Sequence, residues 1–181
     1  MKNRLQRLEN MKKIGSVKTN VYVVSIIAAL IALGCYLLMF KLFDTQIPLW
    51  VKGIKALFVF IYVIAIVLMH ELIHMITAYL FVPFKSVHLK IKILTWEVSS
   101  ERPFRRNQFF IYVLTPGCIL SIVGMLLFFS FNSIDIKYFS ALLFLIGFAG
   151  ATGDAWLALG AFRAPRNSYI LDKGNELDIL I

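Results

Sequence analysis

The sequence predicts an all-α polytopic membrane protein: four transmembrane helices, with a short β-strand or hairpin in the loop between the second and third. Three observations carry this. Hydrophobic residues make up 60% of the chain and charged residues only 16%, against roughly 45–50% and about 25% in soluble domains. The apolar residues are gathered into runs long enough to cross a bilayer, which takes about 20 residues. One polar stretch between runs alternates with a period of two rather than 3.6. The 181 residues suffice for a single domain, residues 1–181.

The elements follow in order. Residues 1–20 are basic and polar, with Leu5, Leu8 and Met11 near helical spacing; a short surface helix and a solvated tail are both open. They do not form a cleavable signal peptide, because the apolar run that follows is too long and lacks a small-x-small cleavage site. The first span is 21–40. A short loop with Pro48 and Trp50 leads to the second span, 56–82, which Pro83 ends. In 84–108, Val87, Leu89, Ile91 and Ile93 alternate with His88, Lys90 and Lys92, the signature of a strand. Trp96–Val98 continues it or returns as a hairpin arm. The third span is 109–131. Pro116-Gly117 inside it predicts a kink or a locally open helix, a packing feature rather than a catalytic one. The fourth span is 138–162, with Gly147, Ala151 and Ala155 spaced for close helix approach. Residues 163–181 read as a polar tail. Cys35 and Cys118 fall inside spans, where a thiol behaves as a small hydrophobe.

The formal net charge of +9 has a better explanation than nucleic-acid binding. The N-terminal tail carries six Lys/Arg, the 84–108 loop six and the C-terminal tail three. The other two loops hold Lys41, Lys52, Lys55 and Lys137, a split of fifteen against four. The positive-inside rule then places both termini and the long loop in the cytoplasm. Small size and basic loops suit a bacterial plasma (inner) membrane, the lipid bilayer being the chain's first partner.

The second span contains His70-Glu71-Leu72-Ile73-His74, an HExxH pattern. On a helix the two imidazoles lie one turn apart on one face, a spacing that holds one Zn²⁺, with Glu71 placed to act on a water the metal activates. Away from the loop-facing ends, the four spans contain only four readily ionisable groups: His70, Glu71, His74 and Asp154. Each is costly at bilayer depth, roughly 2.5–3.5 kcal/mol for an aspartate at a helix centre, so each needs a partner. At 1.5 Å per residue, His70, His74 and Asp154 sit at one level, roughly 5–10 Å toward the cytoplasm, which nominates Asp154 as the third ligand. Competing readings are a polar helix-packing network, a degenerate site, and an Asp154 hydrogen bond to neighbours such as Thr152 or Tyr112. His88, alternating with lysines, reads as solvated. Gly150 and Gly153 read as sites of close backbone approach.

The chain resembles a family of small bacterial membrane proteins described as zincin peptidases, related in pattern to the site-two group of intramembrane zinc proteases. The pieces are HELIH at 70–74, Arg102-Pro103-Phe104, Thr115-Pro116-Gly117 and Gly150-Ala151-Thr152-Gly153-Asp154, over about 56–175. The resemblance implies His70, His74 and Asp154 as metal ligands and Glu71 as catalytic base. The chain departs from the site-two pattern in that Ala155, not glycine, follows Asp154. The expected function is Glu-assisted hydrolysis of peptide bonds in a membrane or membrane-proximal protein; the 87–93 strand either adds a substrate strand along an unpaired edge or is a basic hairpin lying on anionic lipid, and both readings are open. The alternatives are a catalytically inactive zinc-binding membrane protein, and a small transporter or channel using the same intramembrane groups.

Overall fold

The computed structural model describes residues 11–18, 54–91, 96–174 and 176–181, with scattered positions between 20 and 41. Among these residues three helices are long and apolar enough to cross a membrane: α1 (Ile54–Tyr79), α2 (Arg106–Ser130) and α3 (Ile134–Phe162). The span expected over 21–40 lies outside the described residues, apart from those scattered positions. Large apolar side chains face outward along the helices, among them Phe60, Leu72, Ile122, Leu126 and Leu159. In water such a surface drives aggregation, whereas in a bilayer the same groups face hydrocarbon. Cys118 is a free thiol on the outer surface.

Helix ends differ from the expected spans for local reasons. α1 stops at Tyr79, three residues short of the expected end. The residue before Pro83 is excluded from the helical region, and the chain tightens through Leu80, Phe81 and Val82, whose amides reach back to Thr77 and Ala78. α2 begins three residues earlier than expected. Its start is held by the Arg105 amide donating to Gln108 Oε1 (3.0 Å) and the Arg106 amide donating to the Ser168 carbonyl (3.1 Å). α3 begins four residues early and carries Asp135 in its first turn, where a negative charge complements the helix dipole.

α2 and α3 form an antiparallel pair joined by residues 131–133. Glycines set the approach. A Cβ on Gly124 would lie 2.5 Å from the Phe144 nitrogen, and one on Gly147 2.6 Å from Leu120 Cβ. Gly117 faces Ala151 just as tightly. The small residues noted at 147 and 151 therefore do what close helix packing requires.

At one end of the helices lie two small sheets. β2 (Val87–Ile91) and β3 (Trp96–Ser100) form the hairpin expected from the alternation, with Leu89 opposite Val98. The second sheet was not expected. β1 (Lys13–Lys18), β6 (Glu176–Leu180), β5 (Tyr169–Asp172) and β4 (Phe104–Arg105) pair antiparallel in that order. Residues 13–18 are thus a strand rather than part of a helix or solvated tail, and 169–180 are two strands rather than a polar tail. Val17 pairs with Leu177, and Lys13 forms an ion pair with the buried Asp178 (2.5 Å). Among the described residues the helices are accordingly joined by six strands, more β-structure than the single hairpin foreseen.

The main core welds this cap to the helix ends. Phe104, Ile170 and Leu177 of the sheet, Val87 and Val98 of the hairpin, and Phe109, Tyr112, Leu157 and Ala161 of α2 and α3 are buried in one cluster. Residues 13–18, 84–91, 96–105, 163–174 and 176–181 therefore share one side of any bilayer that α2 and α3 cross, and the 131–133 connection lies on the other.

Candidate metal centre

α1 supplies His70 and His74, one turn apart, and α3 supplies Asp154. Asp154 Oδ2 lies 3.0 Å from His70 Nε2 and 3.3 Å from His74 Nε2. Each of the three residues offers a ligand atom within 4.8 Å of the others. The three are therefore brought together, and Asp154 turns to the histidines rather than to Thr152 or Tyr112. The Thr152 hydroxyl instead donates to the Phe148 carbonyl of its own helix. Two ligands held tetrahedrally at about 2.0–2.1 Å from zinc stand roughly 3.3 Å apart, so the observed spacings suit a shared ion as well as a hydrogen bond.

The surroundings of His74 bear on those two cases. Its Nδ1 lies 3.2 Å from the Tyr112 carbonyl oxygen, while its Nε2 faces Asp154 Oδ2. Both ring nitrogens confront oxygen acceptors. A neutral imidazole has one N–H and can satisfy only one of them. Either the ring is a buried imidazolium, or Nδ1–H donates to the carbonyl and a cation stands between the Nε2 lone pair and the carboxylate. The second is the usual way a metal-bound histidine is oriented. The donor set of two imidazoles and one carboxylate is also a zinc set. The site's residues therefore fit the ion.

The free carbonyl has a covalent origin. In a helix the oxygen of Tyr112 accepts from the N–H of residue 116, four positions on. Residue 116 is proline and has no N–H. α2 runs continuously through Pro116, without the open stretch its Pro-Gly pair had suggested. The missing hydrogen bond leaves the Tyr112 oxygen available to His74. Tyr112 itself is fixed by stacking on Phe104, with ring centroids 4.7 Å apart.

His70 is packed differently. It is buried, and its Nδ1 has no hydrogen-bond partner among the described residues. Gly150 lies against the ring, and a Cβ there would stand 3.0 Å from Cε1 and 3.1 Å from Nδ1. Close approach to the second expected span is thus the role of Gly150. His88 is exposed, 3.2 Å from Glu101, and stands apart from the centre.

Glu71 shares a cavity of about 140 Å³ with His74 and Asp154. Trp96, Glu97 and Val98 of β3 line it on the cap side, and Gly153 on α3. The Val98 backbone lies beside the Glu71 carboxylate at the cavity wall. Asp172, on β5, lines the same cavity, and sequence reasoning did not foresee it. It accepts hydrogen bonds from the Tyr112 hydroxyl (2.7 Å) and the Gly174 amide (2.8 Å). Burial pushes its carboxyl up to about 6, against the opposing pull of those two bonds.

Apolar helices of spanning length, with two histidines of one and an aspartate of another converging on a shared point, define a membrane protein with a candidate metal centre. The family model described as "Putative zincin peptidase" matches residues 63–169, and the chain belongs to that family. No curated protein and no solved structure matches the chain.

Proposed function

We propose that the protein is a membrane-embedded zinc metallopeptidase that hydrolyses peptide bonds of a membrane or membrane-proximal protein. The observation that carries the reading is the pair of oxygens facing both nitrogens of His74, an arrangement that a cation bound by His70, His74 and Asp154 resolves. Zinc at such a site supplies Lewis acidity, polarising a carbonyl and acidifying water. The remaining steps belong to the chain. Glu71 takes a proton from the attacking water and returns it to the leaving amine. Substrate reaches the cavity past the hairpin. The strand bordering the cavity is β3, not β2, so an extended substrate segment would add along β3. The side bearing the hairpin and both sheets is the cytoplasmic one, by the charge asymmetry of the loops.

The test uses the full chain purified in detergent. One zinc per chain is expected in wild type, lost in His70→Ala and retained in Glu71→Gln. Cleavage of membrane-protein substrates by wild type should disappear in Glu71→Gln. Zinc-free wild type under metal-replete preparation would overturn the reading.

A further inference from the structure

A second cavity, of about 510 Å³, opens where α2 begins and α3 ends. Its lining is Arg105, Arg106, Asn107, Gln108 and the 166–169 segment, which contributes Arg166, and it contains no carboxylate. Neither Arg105 nor Arg166 forms an ion pair with a described residue, and both side chains are exposed. Arg106 donates to the Ala164 carbonyl (2.7 Å), yet its Nε is buried without a partner. Three guanidinium groups therefore share one cavity whose lining holds no carboxylate, a concentration of positive charge that attracts an anion.

The frame of this cavity is rigid. Arg105 pairs with Tyr169 and Phe104 with Ile170 across β4 and β5. The Arg106 amide and guanidinium bind the Ser168 and Ala164 carbonyls, so the 164–168 turn is locked to the start of α2. The cavity also adjoins the lipid-facing surface. The Arg106 guanidinium lies 5.8 Å from the Phe110 ring centroid and 5.7 Å from that of Phe162, and Phe162 and Leu159 are strongly exposed. An anion seated here has a hydrocarbon-facing wall beside it.

We infer that this cavity binds the phosphate of an anionic phospholipid, its acyl chains lying along the exposed ends of α2 and α3. Arginine forks match phosphate oxygens, and the adjoining apolar wall favours a lipid over free phosphate. A zwitterionic lipid brings its own ammonium into a cavity already rich in cations and is bound more weakly. The inference does not depend on the metal site.

The full chain in neutral detergent is titrated with short-chain phosphatidylglycerol, short-chain phosphatidylcholine and inorganic phosphate, and bound adducts are counted by native mass spectrometry. One phosphatidylglycerol per chain is expected, bound at least about tenfold tighter than phosphatidylcholine. Each arginine near an anionic lipid contributes about a factor of five, so R105Q/R166Q should weaken phosphatidylglycerol about thirtyfold. Both side chains are exposed, and unchanged far-UV circular dichroism certifies the variant's fold. A Lys12→Gln control should leave binding unchanged. Equal retention of the two lipids, or phosphatidylglycerol binding indifferent to R105Q/R166Q, would overturn the inference. Binding of inorganic phosphate in preference to phosphatidylglycerol would overturn the lipid assignment.

Discussion

Replacing Pro116 with alanine returns an N–H to the one position in α2 that can compete with His74 for the Tyr112 carbonyl. The substitution removes no side chain from the metal centre. In the wild type the His74 Nδ1 to Tyr112 oxygen distance is 3.2 Å, and the proline nitrogen makes no claim on that oxygen. In Pro116→Ala the helical bond to residue 112 closes, and the imidazole loses the acceptor that fixes its tautomer. Loss of such an outer partner lowers metal affinity about 10–100-fold, roughly 1.4–2.7 kcal/mol. Helix stability moves the opposite way, because alanine is favoured over proline in a helix interior by up to about 3 kcal/mol. The two readouts therefore part company: thermal stability of the metal-free protein unchanged or raised, zinc affinity lowered. Zinc affinity is measured by competition with a chromophoric chelator, and stability by circular dichroism. Tyr112→Phe is the control, since it keeps the carbonyl and removes only the hydroxyl that binds Asp172; its zinc affinity should stay within about threefold of wild type. Wild-type zinc affinity in Pro116→Ala would refute the link between the proline and the histidine. Absence of zinc from wild type would instead refute the metal site itself, so the two failures are distinguishable.

Other consequences are open to direct measurement. Gly150→Ala places a Cβ 3.0–3.1 Å from the His70 ring and should lower zinc affinity at least about tenfold while helix content is retained; unchanged affinity would show that the ring has room to shift. Gly124→Leu drives a side chain into the Phe144 and Ser140 backbone of α3 and should destabilise the protein by roughly 1–3 kcal/mol, read as a lower midpoint of thermal unfolding in detergent. Asp172 titrates near 6 in the fold against its ordinary 3.8, so the protonated folded form is favoured and that advantage is lost as pH rises through about 6. The full difference is roughly 3 kcal/mol, and wild type should lose most of it relative to Asp172→Asn between about pH 4 and pH 6; parallel curves for the two would refute it. Single cysteines at Lys12, Glu101 and Asn167, in a background without Cys35 and Cys118, should label from one side of sealed vesicles and a cysteine at Asn132 from the other.

What could be read from the sequence follows from which interactions are local. The hairpin was legible because Val87, Leu89 and Ile91 alternate within five residues. The convergence of His70, His74 and Asp154 was legible because a bilayer makes every buried ionisable group conspicuous, so the three stood out without any contact being known. The four-stranded sheet was not legible. β1 pairs with β6 across most of the chain, and strands as short as Phe104–Arg105 carry no periodicity of their own. Asp172 was hidden for the same reason: in sequence it is one acid in a charged tail, and only the pairing of β5 with β4 and β6 carries it into the cavity beside Tyr112.

Pro116 stands between these cases. Its position in a span was plain, and its reading as a packing or kink-forming residue came from treating proline as a defect in the helix. A backbone account asks instead which carbonyl the missing N–H releases, and four residues back that carbonyl belongs to Tyr112. Within a membrane an unpaired carbonyl is costly and must find a donor. On the facing helix α1, the His74 imidazole stands 3.2 Å from that carbonyl. The proline, the released carbonyl and the histidine then form a single arrangement. The same low-dielectric surroundings that make each polar group expensive also couple the helix defect to the orientation of a histidine on a different helix.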